Sequence, residues 1–125
     1  MKMSWTRQNP SPRYRELLEQ YQTMHQHGEQ RLGIPASQTF DGRSLPEHAA
    51  IIKNYLTRHH SQTLLDYGAG KGMQYNLTNL RLANGETIPS IRDYWQTTVE
   101  CYDPAYPPFQ TYPEGQFDAV ICTDV

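Results

Sequence analysis

Apolar residues follow two different rhythms along this chain. In the first half they recur at helical spacing. Tyr14, Leu17, Leu18, Tyr21 and Met24 predict a helix from Pro12 to Arg31, with Ser11 suited to its cap and Pro12 to its first turn. Gly33 to Pro46 is rich in turn signals and reads as a linker. Ala49, Ile51, Ile52, Tyr55 and Leu56 then form one stripe of a second helix, from about Pro46 to His60, that should pack on a sheet. After that the rhythm changes to short, nearly unbroken apolar runs bounded by polar or glycine-rich segments. Leu64-Leu65, Val99 to Asp103 and Phe117 to Val125 read as strands, the last as a central parallel strand buried on both faces. Asn84-Gly85 marks a turn within a loop reaching Trp95, and Trp95 is expected to plug the core. The fold class is therefore α/β. It divides into an N-terminal helix with linker, residues 1–45, and a sheet-bearing domain, residues 46–125.

The loop after the first strand carries the most chemistry. Leu64 to Gly72 reads Leu-Leu-Asp-Tyr-Gly-Ala-Gly-Lys-Gly, with glycine at 68, 70 and 72. Glycine lets bare backbone approach a ligand and accepts positive φ. A helix is expected to begin after Gly72 and to aim its N-terminal amides at the same space. The dinucleotide fingerprint needs a glycine where Met73 stands, which disfavours a nicotinamide-dependent oxidoreductase. The phosphate-binding P-loop pattern is not met either, because Lys71 is followed by Gly72. Asp103, 37 residues after Asp66, ends the next strand, where a carboxylate can accept both hydroxyls of a ribose.

Together these segments resemble class I S-adenosylmethionine-dependent methyltransferases. The likeness rests on apolar-apolar-Asp-x-Gly-x-Gly-x-Gly at Leu64 to Gly72, on Val-Glu-Cys-Tyr-Asp at Val99 to Asp103, and on Phe-Asp-Ala-Val-Ile-Cys-Thr-Asp-Val at Phe117 to Val125. It covers Thr63 to Val125, about half the chain. The resemblance implies a Rossmann-like three-layer sandwich with a mostly parallel sheet. It also implies methyl transfer to a small-molecule acceptor, with S-adenosylhomocysteine as the product. The implied cofactor-binding residues are Asp66, Tyr67, Gly68, Ala69, Gly70, Gly72, Asp103, Pro104, Thr123 and Asp124. Asp66 would help hold the amino-acid end of the cofactor. Thr123 and Asp124 would line the methyl side, and Asp124 is the one candidate catalytic base. Tyr14, Tyr21 and Phe40 are candidate substrate contacts from the N-terminal part, which covers the active site in related enzymes.

Two departures from the family qualify this. Only 13 residues separate Asp103 from Phe117, and they include Pro104, Pro107, Pro108, Pro113 and Gly115. Such proline density excludes a regular helix or central strand, so the family's third strand and its adenine contact are missing. Tyr106 or Phe109 is the expected substitute. The sequence also closes on an apolar strand, which predicts a fold truncated after its fourth-strand motif, able to associate through an exposed sheet edge. A second reading therefore stands beside the enzyme: a fragment or subunit that binds S-adenosylmethionine without catalysis.

Composition narrows the partners. Eleven basic and 13 acidic residues give a net charge of −2, which offers no electrostatic footprint for nucleic acid or a membrane surface. No apolar run is long enough to span a bilayer, and the N-terminus lacks the apolar stretch of a signal peptide, so a cytoplasmic location is expected. Hydrophobic content is 37%, with a mean hydropathy of −0.78. Both are low, and the apolar residues concentrate after Ala49. Cys101 and Cys122 read as buried thiols on neighbouring strands. No Cys/His spacing indicates a metal site.

Overall fold

A computed structural model describes residues 4–39 and 44–123. The chain divides into two compact units, Met1–Thr39 and Phe40–Val125.

The first unit is one helix closed by a turn. Helix α1 spans Pro12–His27, and the Ser11 hydroxyl accepts the Tyr14 N–H at its start. It stops short of the expected Arg31 because Gly28 takes a left-handed φ of 79° and donates its N–H to the Met24 carbonyl. The chain then doubles back, pairing Glu29 with Ile34. A side chain at Gly28 would collide with the Ile34 carbonyl, so only glycine fits this reversal. His25 is buried in this unit, while Tyr14 and Tyr21 are largely exposed. Phe40 lies outside the described residues.

The second unit is α/β. Helix α2 spans Leu45–Arg58, and strand β1 follows at Thr63–Tyr67. Strands β2 (Leu80–Arg81) and β3 (Thr87–Ile88) form a small antiparallel pair. Helix α3 (Ile91–Trp95), strand β4 (Thr98–Tyr102) and strand β5 (Ala119–Ile121) complete it. The main sheet is parallel, in the order β4-β1-β5. Leu64, Val99, Cys101, Ala119 and Ile121 share the sheet face that packs on Leu45, Ala49, Ile52 and Leu56 of α2 and on Ile91 and Trp95 of α3. Each fully buried aliphatic side chain here contributes roughly 2 kcal/mol. Trp95 is the expected plug, and its indole N–H donates to the Ala49 carbonyl at 2.9 Å.

Four expectations change. No long helix follows Gly72. A short 3-10 turn at Met73–Tyr75 stands there instead, and the β2–β3 hairpin turns at Asn84-Gly85. Polar Asn76, Thr78 and Asn79 favour turns, and Asn79 takes a left-handed φ of 52°. The final strand is an edge strand of the described sheet, not a central one, and Val120 on it is 60% exposed. Among the described residues of this unit, the helices pack on one sheet face, so two layers are built here, not three. Finally, Cys101 and Cys122 are not neighbours, because β1 runs between their strands. As expected, no strand forms among the described residues between Asp103 and Phe117; the prolines there support only a 3-10 turn at Pro107–Phe109.

Candidate functional site

The glycine loop leaves the carboxyl end of β1, the central strand, and turns over the end of β4. Gly68, Gly70 and Gly72 all take left-handed φ, at 82°, 62° and 65°. The loop's amides are donated inward. Gly68 N–H and Ala69 N–H both reach the Tyr102 carbonyl, at 2.8 and 3.0 Å. Gly72 N–H reaches the Ala69 carbonyl at 3.2 Å. Gly70 N–H reaches Asp103 Oδ2 at 2.8 Å, and the other oxygen of Asp103 accepts the Ala105 N–H at 2.9 Å. The two places singled out in the sequence, 68–72 and 103, are thus in direct contact. A carboxylate has about four acceptor positions, so Asp103 keeps one on each oxygen after these bonds.

Asp66 is placed differently from Asp103. It is 1% exposed, beneath the loop on the core face. Its Oδ2 accepts the Tyr75 hydroxyl at 2.6 Å and the Gln74 amide at 3.1 Å. Burial, followed by the charge and hydrogen bond of Asp66, pushes the Tyr75 phenol far above its ordinary range. Burial and the same carboxylate raise the Cys101 thiol to about 11. Asp66 therefore props the loop from below, and Tyr75 and Gln74 are functional neighbours that the sequence did not flag. Their position depends on the 3-10 turn that replaced the expected helix. Gln74 Oε1 is also buried, without a hydrogen-bond partner among the described residues.

An aromatic row covers the strand ends. Tyr67, 41% exposed, lies 5.0 Å from buried Tyr102, and Tyr112 meets Tyr102 edge-on at 5.4 Å. The segment after Asp103 folds back, so that Asp103 N–H donates to the Phe109 carbonyl at 3.0 Å. Phe109 lies against Gly72, where an added Cβ would stand 2.8 Å from its ring. It also meets Tyr106 edge-on at 5.4 Å. Pro104 and Thr123 are half-buried at the ends of their strands. On the β5 side, an added Cβ at Gly68 would meet only the Cys122 sulfur, at 3.9 Å. Asp124 lies outside the described residues. Burial lowers the Lys71 ammonium and raises the Cys122 thiol from their usual ranges.

Among the described residues no group of three His, Cys, Asp or Glu side chains is placed to hold a metal ion, and no helix is long and apolar enough to cross a membrane. No family model, curated protein or solved structure matches the chain.

Proposed function

We propose that this chain binds S-adenosylmethionine on a Rossmann-like sheet, as the cofactor-binding half of a class I methyltransferase. One observation carries the reading: the glycine loop has spent its donors. The amides of Gly68, Ala69, Gly70 and Gly72 are all committed within the protein. A phosphate or pyrophosphate needs free N–H groups at such a loop. This loop offers smooth main chain, with the carboxylate of Asp103 beside it and that of Asp66 beneath it. That surface suits a ligand with no phosphate and a positive centre, and a sulfonium nucleoside has both properties.

The residues fit such a ligand in detail. The two free acceptor positions of Asp103 match the two ribose hydroxyls. The bare backbone of the loop admits close approach, and the aromatic row of Tyr67, Tyr102 and Tyr112 shields the strand ends from water. When bound, the cofactor would supply an electrophilic methyl group. The protein's part would be to hold donor and acceptor in line, with general-base help where the acceptor needs it. Binding without transfer is the second reading. It is favoured because Cys122 and Thr123 are the described residues closing the β5 end, and the Cys122 thiol is held protonated by burial.

Calorimetry with S-adenosylhomocysteine tests the first claim, with ATP and NADH as controls. The expected result is saturable binding of S-adenosylhomocysteine and none of either phosphate ligand. Preference for NADH would overturn the reading. A methyl-transfer assay on the same sample then separates enzyme from binder.

A further inference from the structure

The outer edge of β4 is open where a further strand would pair. In the parallel β1–β4 ladder, Thr98 N–H and the Tyr102 carbonyl face β1. Strand alternation then points the main-chain N–H and C=O groups of Val99 and Cys101 the other way, toward the outer edge. Neither residue has a main-chain partner on that side among the described residues. Just above them, Asp103 N–H is taken by the Phe109 carbonyl, so the returning segment pairs once and then departs. The gap it leaves is a cavity of about 370 Å³, lined by Gly72, Val99, Cys101, Phe109 and Thr111, with Arg92 at its wall. The volume falls within the usual range for ligand pockets.

We propose that this cavity is the seat of a nucleobase, read by the open main chain of Val99 and Cys101 and faced by the Phe109 ring. The proposal rests on the nucleoside reading above and gives the base a place that the strand-end loop alone does not. The cavity continues from Gly72, next to the carboxylate assigned to the ribose. Only two residues of edge are open, too few to hold a peptide strand firmly, but enough for one heterocycle edge with adjacent donor and acceptor atoms. Adenine offers a donor at its amino group beside an acceptor ring nitrogen, which matches a strand edge presenting C=O and N–H. Hypoxanthine presents the reverse.

The test is titration of the isotopically labelled full chain with S-adenosylhomocysteine, adenosine and S-inosylhomocysteine, following amide shifts and affinity. The expected result is movement of the Val99 and Cys101 amides. The inosine analogue should bind at least tenfold more weakly. Phe109→Ala should weaken S-adenosylhomocysteine about tenfold, the scale of one base–aromatic contact. Thr111→Trp fills the cavity from an exposed position with little risk to folding, and should abolish binding. If S-adenosylhomocysteine binds wild type and Thr111→Trp equally, the base seat is wrong and the glycine-loop reading survives. If S-adenosylhomocysteine fails but adenosine still moves the Val99 and Cys101 amides, the seat survives and the sulfonium reading falls. If neither ligand binds, both fall.

Discussion

Strand β1 has two flanks, and they are built to different standards. On the β4 flank the register runs through five residue pairs, from Thr63–Thr98 to Tyr67–Tyr102, and the bonding continues past the strand end into the glycine loop. On the β5 flank it runs through three pairs, Leu64–Ala119 to Asp66–Ile121. The β5 flank is anchored at the opposite end. There Asp118 accepts the N–H groups of Gln62 and Thr63, at 2.8 and 3.2 Å, and its own N–H donates to the Thr63 hydroxyl at 2.9 Å. At the carboxyl ends, where a ligand would lie, the β4 flank is therefore rigid and the β5 flank is sparsely held. In the proposed reading, the nucleoside half of the site is preorganised, while the methyl half gains little from the described residues.

The largest expected effect breaks the stronger flank. Asp103→Ala strands the Gly70 and Ala105 amides, each of which now donates to a carboxylate. Bonds to charged groups are worth about 1.5–3 kcal/mol each when buried. This site is half-buried, so a loss of about 2 kcal/mol is expected in urea unfolding. Affinity for S-adenosylhomocysteine should fall beyond what Phe109→Ala costs, because both the loop and the ribose contact go. A loss below about 0.5 kcal/mol would mean that the loop holds its shape without the carboxylate, since substitutions away from special features fall within that range.

Much of this flank was legible in the sequence, for a definable reason. Alternate glycines force left-handed backbone, and an acidic residue at a strand end has few places to go, so the pairing of 68–72 with 103 followed from local chemistry. The same holds for the Ser11 cap, the Asn84-Gly85 turn and the Trp95 plug. What the sequence hid depended on tertiary contacts. Nothing local distinguishes Asp66 facing the ligand from Asp66 facing Tyr75 and Gln74, because that choice is made by a turn competing with a helix. The edge position of β5 was hidden likewise. An apolar run such as Ala119–Ile121 fits a central or an edge strand, and only the partner strands decide.

The weaker flank should yield less. Asp118→Ala removes a clamp that sits in solvent, where water replaces the lost acceptor, so about 1 kcal/mol is expected. Amide exchange should show the loss confined to β5 and the start of β1, with the glycine loop still protected. If Asp118→Ala costs more than Asp103→Ala, the ranking of the two flanks is reversed and the site must be organised from the β5 side.

The smallest effect separates the flanks by their thiols. Cys101, half-buried on the core face of β4 and close to the Asp66 charge, is held protonated up to about pH 11, against an ordinary value of 9.0. The folded state therefore keeps a proton that the unfolded chain releases above pH 9, and linkage makes stability fall as pH rises through that window. Tyr75 shifts in the same direction and adds to the alkaline limb. Below pH 9 both groups are protonated in either state and contribute no slope. Cys101→Ala should thus flatten, without abolishing, the decline in unfolding midpoint between about pH 9 and 11. Cys122, exposed beyond β5, should label with iodoacetamide well before Cys101 in the native protein. Equal labelling rates would mean that the β4 flank opens as readily as the β5 flank, and the distinction between them would lose its physical basis.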